Sequence, residues 1–96
     1  MSSKFEWDKR KAAFNSKKHG VTFDEAVTVF DDPFAEVFTD AEHSFAERRE
    51  IIIGESIFHE LLVVSFTERG EGVIRIISAR SATRRERHEY KENQPS

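Results

Sequence analysis

Apolar residues in the first third of the chain recur every three or four positions, whereas from residue 34 onward they alternate with polar ones. The two periods separate a helical N-terminal part from a sheet. Phe23, Ala26, Val27 and Phe30 fall at i, i+3, i+4 and i+7, which predicts a core-facing helix. Thr22 caps it, Glu25 three residues on completes a capping box, and Asp31-Asp32-Pro33 ends it. Upstream, Asp8 caps a helix whose last turn holds Lys17, Lys18 and His19, where the helix dipole favours cations. Gly20 is its left-handed stop, with Val21 as the apolar contact that accompanies it. Phe5-Glu6-Trp7 predicts a short first strand.

The alternating part predicts strands over 34–38, 48–56, 61–69 and 73–80, with a polar loop at 40–46 and turns at 57–60 and 70–72. Short connections between consecutive strands imply an antiparallel meander. A last helix opens at Thr83, where Glu86 completes another capping box, and 92–96 reads as a frayed tail. The expectation is one α+β domain over 1–96, with two N-terminal helices packed on an antiparallel sheet and a C-terminal helix.

Turn lengths fix an expected register. Arg69 opposite Val73 pairs Phe66 with Ile76, Val64 with Ser78, Thr67 with Arg75 and Ser65 with Ile77. Ser56 opposite Leu61 pairs Ile53 with Val64, Ile51 with Phe66, Glu50 with Thr67 and Arg48 with Arg69. Both turns sort the strands into the same apolar face, for the helices, and a polar face holding Arg48, Arg69, Arg75, Glu50, Ser65 and Thr67. Arg48 opposite Arg69 is a destabilising like-charge pair. A phosphate-bearing ligand would account for it, because guanidinium forks match phosphate oxygens. The bland reading is a solvated face whose arginines are neutralised by Glu47, Glu68 and Glu86. A one-residue slip in either hairpin would undo the cluster.

With 96 residues the chain supports a single modest core, and with no cysteine it has neither disulfides nor thiolate chemistry. No signal peptide or long apolar run is visible, so the expected setting is the cytoplasm. The net charge of −3 conceals strong segregation: 21–47 hold eight acids and no Lys or Arg, whereas both ends are basic. A basic surface can meet nucleic acid while an acidic one faces a basic partner. Arg84 and Arg85 sit in the first turn of the last helix, where the dipole disfavours cations, and beside free N–H groups they make a place for a phosphate. His19, His43, His59 and His88 fit no metal spacing, and neither a metal nor an organic cofactor is expected. Lys18-His19 sets a base beside a cation at a helix end.

FEWDKRKAAFNSKKHGVTFDEAVTVFDDP at 5–33, ERR at 47–49, LLVVSFTERG at 61–70 and RIISARSATRRERHEY at 75–90 together resemble the BrnT toxins. These are ribonuclease halves of type II toxin–antitoxin pairs within the RelE-like superfamily. The resemblance runs from about Phe5 to Tyr90, in order and with matching spacing. It implies a small RelE-like α+β fold and RNA cleavage that halts translation. It further implies a BrnA-like antitoxin with a ribbon-helix-helix DNA-binding domain, through which the complex binds operator DNA. The positions it marks are Lys18, His19, Glu47, Arg48, Arg69, Arg75, Arg80, Glu86 and Tyr90. The chain departs from the pattern at Phe58-His59-Glu60, where relatives often carry Gly-Arg.

Cleavage without a metal needs a base for the ribose 2′-OH, cations for the phosphorane charge and an acid for the leaving 5′-oxygen. Arg48, Arg69, Arg75 and Arg80 are the candidates for charge, with Arg84 and Arg85 as further RNA contacts. The base is one of His19, Glu47, Glu50 and Lys18, with His19 favoured because imidazole titrates near neutrality. The alternative class is a non-catalytic module that holds RNA or a protein through the same arginines.

Overall fold

A computed structural model describes residues 4–44 and 47–95. The Asp8 carboxylate accepts from the Arg10 and Lys11 N–H groups at 2.8 and 3.1 Å, and α1 follows over Lys9–His19. Gly20 ends it at φ 70°, a left-handed conformation that costs a residue without a Cβ nothing. Thr22 caps α2 (Phe23–Thr28), which tightens into a 3₁₀ turn over Val29–Asp31. Only half of the expected capping box forms there. The Thr22 hydroxyl accepts from the Glu25 N–H, but the Glu25 carboxylate accepts from Ser56 Oγ at 2.7 Å and so ties α2 to a distant turn.

Strands β1 (Lys4–Glu6), β2 (Glu36–Thr39), β3 (Glu50–Glu55), β4 (Leu61–Glu68) and β5 (Val73–Ser81) form one sheet in the order β1-β5-β4-β3-β2. Helix α3 closes the chain over Arg84–Glu92, with its capping box between Thr83 and Glu86 complete. The sheet is mixed, not purely antiparallel as expected, because β1 lies parallel to β5. No hairpin joins these two strands, so nothing local in the sequence sets their relative direction. β2 starts two residues later than expected, since Asp32 accepts from the Phe34 and Ala35 N–H groups and holds 33–35 in a turn. The polar loop expected at 40–46 forms a 3₁₀ turn over Ala41–His43; Phe45 and Ala46 lie outside the described residues, as does Ser96 of the expected tail.

The register departs from expectation in both hairpins. Beside the β4–β5 turn it agrees: Phe66 pairs with Ile76 and Thr67 with Arg75. A bulge then takes up Ile77, so Ser65 meets Ser78 and Val64 meets Ala79. Between β3 and β4 the whole register is displaced by one, with Ile52 opposite Val64 and Ile53 opposite Val63. Gly54 explains why. It is buried, and a Cβ there would lie 2.9 Å from both Ala35 Cβ and Val29 Cγ1, so only glycine fits beneath the 3₁₀ turn. Ile52 therefore faces the main core, and Ile51 and Ile53 face the other side.

The main core joins Phe23, Ala26 and Val29 to Leu62, Val64, Phe66, Ile74 and Ile76. Edge-to-face pairs Phe5–Phe30 and Phe30–Phe66, at 5.1 and 5.0 Å, lock the first strand and the 3₁₀ turn onto the sheet. A smaller apolar cluster of Leu61, Val63 and Ala82, with Ile51, Ile53 and Tyr90, forms beneath α3 on the opposite face. Helix α1 buries one side chain only, Asn15. Its Nδ2 donates to the Val21 and Ala79 carbonyls at 3.0 and 2.8 Å, and its Oδ1 accepts from the Ala79 N–H at 3.0 Å. Asn15 thereby completes the edge of β5 where β1 stops, and sets α1 along that edge.

Candidate functional site

The sequence-derived candidates fall in three places. The first is the end of α1. Lys18 and His19 are exposed in its last turn and line a cleft of about 320 Å³ with Arg10, Lys11, Phe14, Asn15, Ile77 and Ser78. Two local features build it: Asn15 fixes the helix on the β5 edge, and the bulge delivers Ile77 and Ser78. The helix carries Lys9, Arg10, Lys11, Lys17 and Lys18 and no acid, so its potential is positive along its length.

The second place is the start of β3. The buried Thr67 hydroxyl donates to the Arg48 carbonyl at 2.7 Å and pins the segment before β3 to β4. Glu47, Arg48, Glu50, Thr67 and Glu68 line a cleft of about 370 Å³ here. Ladder pairing ends at Glu50 opposite Phe66, so the expected Arg48–Arg69 cross-strand pair does not form. Arg69 lies 3.8 Å from Glu47 instead, and Arg48 Nη2 donates to Thr39 Oγ1 at 3.3 Å. The expected Glu50–Thr67 pairing is likewise replaced by the displaced register.

The third place is the β5 strand and α3. Arg75 pairs across to Glu6 of β1 at 2.9 Å. Arg80 forms two parallel bonds to Glu86, at 2.8 and 2.9 Å. These bonds, reinforced by the Thr83 N–H, outweigh burial and hold the Glu86 carboxyl down at about 2. Arg85 pairs with Glu89 one turn on, while Arg84 is exposed. Glu86 already accepts from the Thr83 N–H at 2.8 Å, and Thr83 from the Glu86 N–H at 3.2 Å. The carboxylate thus sits where an anion at this helix start was expected.

Lys18 and His19 are brought together in one cleft, and Glu47 and Arg48 line another, with Arg69 beside Glu47. Sequence reasoning missed Asn15, Arg10 and Phe14 as parts of a site. The signal was present: an asparagine mid-helix is a poor helix former, which points to a side-chain bond elsewhere. It also missed the joint between Tyr90 and Asp32, whose hydroxyl-to-carboxylate bond fastens α3 to the Asp-Asp-Pro turn. Burial opposes ionisation of Asp32, yet donation from the Glu55 N–H, Tyr90 and the Phe34 N–H leaves its pKa lowered. Among the described residues no three His, Asp or Glu side chains converge as a metal site.

A basic helix ending in Lys-His, set against the bulged edge of a five-stranded mixed sheet, invites comparison with known proteins. The family model described as "Ribonuclease toxin, BrnT, of type II toxin-antitoxin system" matches residues 7–86. This chain belongs to the BrnT family. The family is one of ribonuclease toxins from type II toxin–antitoxin systems, which brings with it an RNA substrate and an antitoxin partner. Among solved structures, the Brucella abortus ribonuclease toxin BrnT is similar, at 29% identity and a TM-score of 0.67. The similarity covers 86% of this chain and 100% of that one. No match was found among curated proteins. The α+β architecture described above, three helices on a five-stranded sheet, is thus that of a BrnT toxin. No helix among the described residues of this BrnT-family chain is long and apolar enough to cross a membrane.

Proposed function

We propose that the protein is a metal-independent endoribonuclease of the RelE-like type, acting as one domain in the cytoplasm and arresting translation by cutting RNA. The observation that carries this reading is the α1 cleft, where Lys18 and His19 adjoin on a helix without acids. His19 takes the proton of the ribose 2′-OH, and the 2′-oxygen attacks phosphorus. The bond to the 5′-oxygen breaks, and that oxygen takes a proton from solvent water, to which the His19 imidazolium returns its own. A 2′,3′-cyclic phosphate and a 5′-hydroxyl end result, with no outside reagent. Lys18 supplies positive charge to the phosphorane; Glu47 is the alternative base.

Arg69 and Arg75 add positive charge at the phosphorane, and Arg48 receives a neighbouring phosphate. Their present partners do not forbid this, since ion pairs open to solvent are worth only about 0–1 kcal/mol and a phosphate can displace them. Arg80, held by both oxygens of Glu86, contributes by fixing α3 and with it Arg84 and Arg85. A BrnA-like antitoxin with a ribbon-helix-helix domain neutralises the toxin, and the complex reaches operator DNA through that domain.

His19→Ala should lower single-turnover cleavage by about 10²–10⁴-fold, and Arg69→Ala or Arg75→Ala by about 10²–10³-fold. Each should melt near wild type and lose growth arrest on expression. Arg84→Ala should weaken RNA binding more gently. Full cleavage by His19→Ala would remove it as the base. One observation favours a second reading: Arg69, Arg75 and Arg80 each already face a carboxylate. A pure binding module of this kind would hold RNA through the cations of α1 and yield no product.

A further inference from the structure

We infer that α1 carries a base-stacking subsite for single-stranded RNA built on Phe14, an inference that rests on the ribonuclease reading above. Phe14 is 68% exposed, in the middle of a helix that otherwise presents cations to solvent. A lone exposed aromatic is common and by itself means little. This one lies inside the α1 cleft, with Lys18 and His19 on one side along the helix and Arg10 on the other. Arg10, Phe14 and Lys18 follow at i, i+4 and i+8, so they form one stripe, its two cations about 12 Å apart along the axis. The Lys18 ammonium stands 5.9 Å from the Phe14 ring centroid, at the outer limit of a cation–π contact. Ile77, the bulge residue, adds a second apolar surface to the same cleft.

An aromatic ring between cations is the arrangement that binds single-stranded nucleic acid, with a base stacked on the ring and phosphates on the flanking charges. Charge decides between RNA and a protein as the occupant. The molecule's other exposed apolar residues near β2, Phe34, Val37 and Phe38, lie in the stretch 21–47, which is acidic throughout and would repel phosphate. Phe58, also exposed, sits in the turn between Glu55 and Glu60, a stretch without Lys or Arg, so the exposed ring set among cations is the one on α1. A base held there sets the neighbouring ribose and phosphate beside Lys18 and His19. Phe14 is therefore a binding and positioning residue, and it selects an unpaired nucleotide over a paired one.

The test is equilibrium binding of a short 2′-O-methyl RNA of mixed sequence, which cannot be cut by 2′-OH attack, to the intact protein and to three variants. Phe14→Ala should bind roughly 5- to 150-fold more weakly, the worth of one base–aromatic stack. It should not melt lower, because alanine is the best helix former and the ring is exposed. Phe14→Trp should bind within about twofold of wild type and show quenching on binding beyond that of Trp7 alone. Phe14→Leu should behave like Phe14→Ala, since it keeps apolar area and loses the π face. Binding by Phe14→Ala within about twofold of wild type, or full rescue by leucine, would overturn the inference. So would a change in oligomeric state with RNA affinity intact, which would make the face a protein interface. Wild type that neither binds nor cuts RNA would fail the ribonuclease reading itself, and the two failures are thus distinct.

Discussion

At the residue scale the strongest charge contact in the described structure is the Arg80–Glu86 pair, and it has a pH signature. Glu86 is held at about 2 in the folded protein against an ordinary 4.5, chiefly by its bonds to Arg80. A depressed carboxyl stabilises the fold above its unfolded value and loses that contribution as pH falls. The stabilisation is therefore complete above about pH 5 and gone by about pH 2. It amounts to at most about 3 kcal/mol, less for solvent screening of a partly exposed pair. Melting temperature measured from neutral pH down to about pH 2 should fall more steeply for wild type than for Glu86→Gln. Parallel curves would mean that the pair contributes nothing.

At the element scale one asparagine does for β5 what a sixth strand would. Asn15→Ala would leave the Ala79 N–H and the Val21 and Ala79 carbonyls of this buried edge without partners, at a cost of about 3 kcal/mol. Chemical denaturation measures this directly; a loss under about 1 kcal/mol would show that the edge is satisfied by other means. Capping residues, the Asp-Asp-Pro stop, the helix period of α2 and the turn-proximal pairs of β4 and β5 were all legible in the sequence. They are local, and the physics that fixes them acts within a few residues. The β3–β4 register was not legible, because it is decided by Gly54 passing under Val29 and Ala35, residues more than a turn away in the chain. Nor was the bulge at Ile77, which lets the register slip without disturbing the turn. The Arg48–Arg69 pair inferred from an unbroken ladder was lost to the β3–β4 displacement, whereas Thr67 still meets Arg75 beside the β4–β5 turn. Lys18 and His19 survived as neighbours because adjacency in sequence does not depend on register.

At the scale of the whole molecule the segregation of charge becomes a division of surfaces. The basic helix α1 flanks the β5 edge, while β2, which carries part of the acidic stretch 21–47, lies at the opposite end of the strand order. A net charge of −3 is thus compatible with an RNA-binding face, and with an acidic, partly apolar face at the free β2 edge for a basic partner. Membership of the BrnT family supplies the toxin and the ribonuclease; the side chains supply the account of how the cut is made. That account needs a base, a cation and a bound strand, and no metal. Incubation of the purified protein with RNA in excess EDTA tests it most directly. The account predicts cleavage at an undiminished rate, leaving cyclic-phosphate and 5′-hydroxyl ends. Complete loss of cleavage under chelation, restored by a divalent cation, would contradict it.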